Sequence, residues 1–441
     1  MKKLILVLLA FTATLIMNAE EVSGQEVNDT VRSYWDTGLP VVIIDTHGKE
    51  VPPPTGEWLP NTTIQIYEGR DSLVYESTTL AFRGRGNATW YGYPKKAYAL
   101  KLEKKNEILG MASSKRWCLL ANYKDRTLMR NDIAFRLGNT TDLAWSPHGR
   151  FVELVLNGNH IGNYYLSEQV RVERNRVDIN EVSDYLLEID SYYNDPYRFR
   201  SNITGYYYNI KSPKEPDVNF IWGKIEEIET LLFNHGDYAS YIDFDSFIDY
   251  WFITELTGLL ELRMSTDENC NIPKDGNMGP HSVFYQYVIG TRGEHDKLKI
   301  GPIWDFDWST FQKFFLPSCY YCIEGLPHTE EGHELTDFYM PDKTIVADTP
   351  FYRVLFSNPE FRQRVKQKWE TTRIKFGQVM NDIENNYDLL RKSDELNHIL
   401  WPIKCSKNSP DGCMSFREAV NLLKEVFELR LNYMDQFIND L

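Results

Sequence analysis

Apolar residues fall into three kinds of pattern along this chain. Lys2 and Lys3 lead into an apolar run from Leu4 to Met17, which gives way to polar residues at Glu20 and Glu21. A short positive start, an apolar run too short to cross a bilayer comfortably, and small residues at Ala19 and Gly24 predict a secretory signal peptide over residues 1–24. From Val41 to Leu102 apolar and polar residues alternate between Gly, Pro and Asn breaks, which predicts strands at Val41–Ile44, Thr63–Tyr67 and Ala97–Leu102. Phe151–Leu156 and Ile161–Leu166 flank Asn157-Gly158 and predict a hairpin. Tyr185–Asp190 and the segment around Asp305 predict further strands. Three- and four-residue spacing predicts helices over Arg126–Leu137, Ile225–Phe233 and Phe247–Leu260, then longer ones over Phe361–Leu390 and Ser415–Leu441, with Asn358-Pro359 as a start signal. The resulting α+β organisation has a β-rich N-terminal lobe (residues 25–110), a mixed core (111–345) and a helical region packed on it (346–441). No internal repeat is visible.

Composition narrows the class. The chain is 42% hydrophobic and 14% aromatic, enough to bury a large core and exclude global disorder. Its net charge of −15 comes with no basic run, which argues against a nucleic-acid partner. No later stretch is long and apolar enough for a transmembrane segment. Six cysteines in an exported chain are free to pair. Cys405 and Cys413 bracket a turn-rich loop and form the favoured disulfide. Cys319 and Cys322 have no second Cys pair at matching spacing to make a zinc site, which leaves a local disulfide or two thiols. Cys118, between Trp117 and Leu119, reads as core. No signal for oligomerisation is present.

The densest chemistry lies in Gly301-Pro302-Ile303-Trp304-Asp305-Phe306-Asp307. If this segment is extended, Asp305 and Asp307 project from one face. Two carboxylates held so close in an apolar wrapper repel one another, and a divalent metal is their natural partner. A solvated strand end is the plain alternative. Arg83-Gly84-Arg85-Gly86-Asn87 is a glycine-rich turn with two arginines, able to hold phosphate through backbone N–H groups and guanidinium, although its spacing matches neither a P-loop nor a dinucleotide fingerprint. On the strand that follows, Lys95 and Lys101 share one face with Ala97 and Ala99, and Lys96 lies on the face of Tyr98. Each lysine either snorkels at the surface or reaches into a site. Asn131 needs a partner, as a polar group beside an apolar run does, while Glu168 and Glu188 either pair with the lysines, join the metal site or stand as exposed strand charges.

Taken in order, Arg83-Gly84-Arg85-Gly86-Asn87-x-Thr89-Trp90, Pro94-Lys95-Lys96-x-Tyr98, Trp117-x-Leu119-Leu120-Ala121-Asn122-Tyr123, Arg130-Asn131, Asn157-Gly158-x-x-Ile161-Gly162-x-Tyr164, Glu168-Gln169, Leu186-Leu187-Glu188-Ile189-Asp190 and Gly301-Pro302-x-Trp304-Asp305-Phe306-Asp307 resemble the spore-coat-protein-H (CotH) kinase family. The resemblance implies a diverged, atypical protein-kinase-like fold that uses ATP with Mg²⁺ or Mn²⁺ to phosphorylate an exported or surface protein. It implies that Asp305 and Asp307 are the counterpart of the kinase metal-binding aspartate, Asp307 the stronger ligand and Asp305 also catalytic. Arg83, Arg85, Lys95, Lys96, Lys101 and Asn131 become nucleotide-holding candidates, with Glu168 or Glu188 as carboxylate partner of the lysine.

The chain departs from the family pattern where an Asn-x-Asp or Asn-x-Glu is expected after Glu255-Leu256-Thr257. The residues there are Leu259-Leu260-Glu261, so Glu261 stands as the catalytic carboxylate without its Asn neighbour. A stretch from Leu262 to Asn277, carrying Asp267, Glu268, Asn269 and Asn271, looks inserted. Leu259, an acidic surface and abundant aromatics leave open a second reading, a weakened or inactive kinase-fold protein that binds protein or glycan at the cell surface. A metal-dependent hydrolase is a third.

Overall fold

The computed structural model of the protein describes residues 33–190, 192, 195–262, 282–291, 294–308, 310–313, 340–404 and 411–441. The predicted signal peptide, the stretch from Asp267 to Asn277, Cys319, Cys322 and Cys405 lie outside the described residues. Cys413 is disulfide-bonded, and Cys118 is a buried free thiol in the core.

Seven strands form a closed barrel in the order β1-β2-β3-β4-β5-β7-β6. They are β1 (Val41–Asp45), β2 (Leu59–Gly69), β3 (Ser72–Arg85), β4 (Ala97–Ile108), β5 (Met111–Leu120), β6 (Gly149–Leu156) and β7 (Asn159–Glu168). Alternation sends Ile64, Ile66, Leu80, Phe82, Leu100, Trp117, Leu119, Leu154 and Leu166 into the barrel. The residues between them on β5 to β7, Cys118, Leu120, Phe151 and Tyr165, join the core shared with the helices, so this wall is apolar on both faces. The barrel closes where β1 pairs in parallel with β6, Val42 opposite Leu154. Asn157 and Gly158 take φ of 50° and 77°, the left-handed pair of a two-residue hairpin turn.

A second, antiparallel sheet has the order β12-β11-β8-β10-β9, from β8 (Tyr185–Ile189), β9 (Arg198–Arg200), β10 (Tyr207–Ser212), β11 (Val283–Val288) and β12 (Lys297–Ile300). After the one-turn α1 (Ala88–Tyr91), the helices are α2 (Arg130–Thr140), α3 (Val218–Phe233), α4 (Phe244–Thr257), α5 (Pro350–Ser357), α6 (Pro359–Leu400) and α7 (Phe416–Asp440). The start signal read from sequence at Asn358-Pro359 is used, and the last helix adds one that the sequence reading did not name. Asn358 caps α6 with Pro359 in its first turn, and Ser415 with Glu418 forms a capping box on α7. No described helix is long and apolar enough to cross a membrane.

Buried throughout from Phe247 to Thr257, α4 forms the centre of the helical core. Its one buried carboxylate near the C-terminus, Glu255, is fully partnered. It accepts the N–H groups of Ile345, Val346 and Ala347 at 2.7, 2.7 and 2.9 Å and pairs with the Arg430 guanidinium at 2.7 Å. Helix α6 ties the helical core to the barrel. Lys368 meets Asp249 of α4 at 2.9 Å, Asn386 meets Asp132 of α2 at 2.7 Å, and Ser393 and Asn397 meet Asn163 of β7.

Candidate active site

The expected strand around Asp305 does not form. β12 ends at Ile300, and Gly301–Trp308 is irregular, with Asp305 itself in the left-handed region at φ 67°. The ladder is replaced by side-chain bonds from α2. Phe306 N–H donates to Asn131 Oδ1 at 2.8 Å, and Asn131 in turn donates to Asn122 Oδ1 at 3.1 Å. Downstream, Arg130 Nε donates to Thr310 O at 2.8 Å while its other nitrogens pair with Asp125 and Asp411 at 2.6 and 2.7 Å. Trp304 and Phe306 pack on Phe135 of α2, with ring centroids 5.7 and 6.5 Å away. The loop is thus fixed at both ends, and the two carboxylates still converge, by a turn rather than by strand alternation.

Convergence shows in the electrostatics. Burial, then the Asp305 charge, then that of Asp125, push the Asp307 carboxyl well above the usual carboxylate range. Asp307 is densely surrounded, although part of its surface still meets solvent. Ser282 Oγ donates to Asp305 Oδ2 at 3.3 Å. Trp308 Nε1 donates to Glu261 Oε1. Burial and the charges of Asp307 and Asp305 push the Tyr93 hydroxyl up to about 12. Tyr192 is raised by burial and then by Asp190, Glu261 and Asp305. Tyr192 thus stands within the field of both Glu261 and Asp305, and Tyr93 within that of the aspartate pair. Leu259, where the family pattern has Asn, is sealed in the core.

Among the described residues no group of three or more His, Cys, Asp or Glu side chains is arranged as a metal cage. The pair Asp305 and Asp307 nevertheless has the chemistry of a hard-cation site, since adjacent carboxylate oxygens whose repulsion raises one partner are relieved by a divalent cation. Mg²⁺ typically takes only one or two carboxylates and completes its shell with phosphate oxygens and water.

A cleft of about 700 Å³ lies between the barrel and the second sheet, lined in part by Trp58, Arg83, Arg116, Arg171, Lys211 and Lys214. Lys211, exposed at the cleft, pairs with Glu188 at 2.9 Å and Asp195 at 2.6 Å, and these carboxylates raise its pKa against the desolvation that its neighbours impose. Residues 80–434 match the family described as CotH kinase protein. The chain belongs to the CotH kinase family. A search of curated proteins finds no match.

The other nucleotide-holding candidates of this CotH protein are dispersed. Arg85 lies over Trp304 at 4.7 Å and beside the Cys118 thiol, linking the barrel to the acidic loop. Arg83 faces the cleft, and Lys101, exposed on β4, sits opposite Arg116 in register. Lys96 donates to Trp90 O and Tyr93 O at 2.6 and 2.5 Å and closes the turn around α1. Lys95 is fully buried against α6, donating to Asn163 O and, at 2.9 Å, to Asn397 Oδ1. Glu168 accepts His148 N–H and Nδ1 at 3.0 and 3.1 Å, with Arg176 beside it. Glu188 alone of the two glutamates meets a lysine, and that lysine is Lys211. The glycine turn has a packing reason: a Cβ on Gly84 would sit 2.4 Å from the Trp90 ring, and Gly84 N–H is spent on Pro52 O at 2.7 Å. The sequence reading missed Trp58, Arg116 and Arg171, which come from separate segments with no shared spacing. Lys211 lies in Ile210-Lys211-Ser212-Pro213, where a lone lysine beside a strand's apolar residues was the available signal.

Proposed function

We propose that this CotH-family protein is an exported atypical kinase that transfers a phosphoryl group from ATP to a hydroxyl of a secreted or surface protein. The barrel, second sheet and helices serve as the lobes of a diverged kinase fold. The observation that carries the reading is the Asp305–Asp307 pair, held together by Asn131 and Arg130 at the cost of charge repulsion. Such strain is expected where a cation is to be received. Mg²⁺ or Mn²⁺ held by Asp305 and Asp307 would neutralise the charge of the phosphates. The chain's own groups supply the remainder. Asp307 and Asp305 orient the phosphate end, Arg83, Arg116 and Lys211 attract and align the anionic nucleotide in the cleft, and Glu261 accepts the proton of the acceptor hydroxyl.

Calorimetric titration of ATP with and without Mg²⁺ or Mn²⁺, alongside Asp307→Ala, tests this reading. Metal-dependent binding that the variant loses supports it, and equal binding by a folded variant overturns the role of Asp307. One observation favours a second reading. Leu259 is core where the family has Asn, so Glu261 works without that neighbour. Nucleotide binding with no phosphoryl transfer to any acceptor would identify a binding protein that retains the cleft.

A further inference from the structure

Trp58 lies outside the matched region, which starts at residue 80, yet it forms a wall of the cleft. Its segment is held on the barrel by Pro52 O, which accepts Gly84 N–H at 2.7 Å, and by Gly56 O, which accepts Arg83 Nη1 at 3.1 Å. The guanidinium carbons of Arg83 and Arg116 lie 4.5 and 4.6 Å from the centroid of the one indole ring. These arginines come from β3 and β5, which flank β4. Arg83 sits beside Ala99 and Arg116 beside Lys101. Two like charges brought to one ring repel. Burial and then the charges of Arg171 and Arg83 pull Arg116 down to about 10, and burial lowers Arg83. Arg83 Nε and Arg171 Nε are buried with no hydrogen-bond partner among the described residues, and the nearest carboxylate to Arg171, Glu173, is 3.9 Å away. Glu181 and Glu215 also line the cleft. Cation–π contact with the indole offsets only part of this repulsion. An anion with several charged oxygens completes the balance, and guanidinium forks match phosphate geometry in pairs.

We propose that Trp58 is a positioning residue that holds Arg83 and Arg116 as a paired guanidinium clamp for a multiply charged phosphate group. Resting on the kinase reading above, that group is the phosphate chain of the nucleotide. The segment ahead of the matched region thereby sets the cleft's preference for polyphosphates.

The test is calorimetry on the full chain with tripolyphosphate in metal-free buffer, with ATP as a second arm. Wild type binds tripolyphosphate with an affinity that falls with salt. Arg116→Gln and Trp58→Leu each weaken it roughly tenfold or more, the loss of one or two charge-assisted bonds. Trp58→Phe restores binding at an unchanged melting temperature, which a merely structural role does not predict. Wild-type affinity in both Trp58→Leu and Arg116→Gln overturns the clamp, as does no binding by wild type. ATP that binds independently of both residues overturns the assignment to the nucleotide. Tripolyphosphate binding with no phosphoryl transfer leaves the clamp standing and sinks the kinase reading. Transfer with an unchanged KM for ATP in Trp58→Leu does the reverse.

Discussion

Two carboxylates inside this protein are treated in opposite ways. Glu255 receives three backbone N–H groups and a guanidinium, so its charge is balanced where it sits. Asp307 is packed against Asp305 and within the field of Asp125, and its carboxyl is raised. A charge partnered on every side belongs to the architecture; one packed against its own kind is poised for something that arrives from outside. The lysines repeat the contrast. Lys95 is sealed between β7 and α6 with neutral acceptors, whereas Lys211 opens on the cleft with two carboxylates holding it charged.

The comparison is broken most directly at Asp307. Asp307→Asn is expected to cut phosphoryl transfer by about a hundredfold or more, in line with loss of a principal electrostatic group, while the metal-free protein melts higher because the repulsion is gone. Kinetics and thermal melts on the same samples check both signs; a variant that melts lower would mean that Asp305 and Asp307 do not repel in the folded state. Glu255→Ala is expected to do the opposite, losing ~3–5 kcal/mol of stability in denaturant titration because the buried Arg430 guanidinium and three backbone N–H groups lose their carboxylate. Among the lysines, Lys211→Met is expected to weaken ATP binding roughly tenfold with little change in melting temperature. Unchanged ATP affinity would remove Lys211 from the cleft's working set.

The smallest effect is a pH dependence. Burial pulls the Lys95 ammonium down to about 7, opposed by Glu153, from an unfolded value near 10.5. Between those values the unfolded chain carries the proton and the folded one does not, so stability rises with pH across this window, by at most ~1.4 kcal/mol per pH unit. Lys95→Met is expected to flatten this slope in denaturant titrations at pH 7 to 10 and to leave ATP affinity unchanged. A slope that survives the substitution would assign it to another group.

Local patterns were legible in the sequence wherever local residues made the structure. The Asn157-Gly158 hairpin, the strands at Val41, Thr63, Ala97 and Tyr185, and the start of α6 all follow from turn chemistry and alternation. The end of α6 did not follow. Apolar spacing stops near Leu390, but the helix runs on to Leu400 because its inward face changes character, with Ser393, Asp394 and Asn397 bonding to the barrel side and to Arg126. Barrel closure rests on β1 meeting β6 across more than a hundred residues, which no short window contains. At the site, the aspartate pair was visible but its geometry was not, because Asn131, in a different element, replaces the strand ladder. The cleft was hidden for the same reason, its arginines and Trp58 being neighbours only after folding.

Helix α6 runs for 42 residues, about 60 Å at 1.5 Å per residue. Its early turns grip α4 through Lys368, α4 packs on β12 of the second sheet, and its last turns grip β7 of the barrel through Asn397. A hinged closure of barrel on sheet would have to bend this rod or tear one end free. The gap between the jaws is accordingly fixed like that of a locked vise, and selection among ligands falls to the side chains that line it.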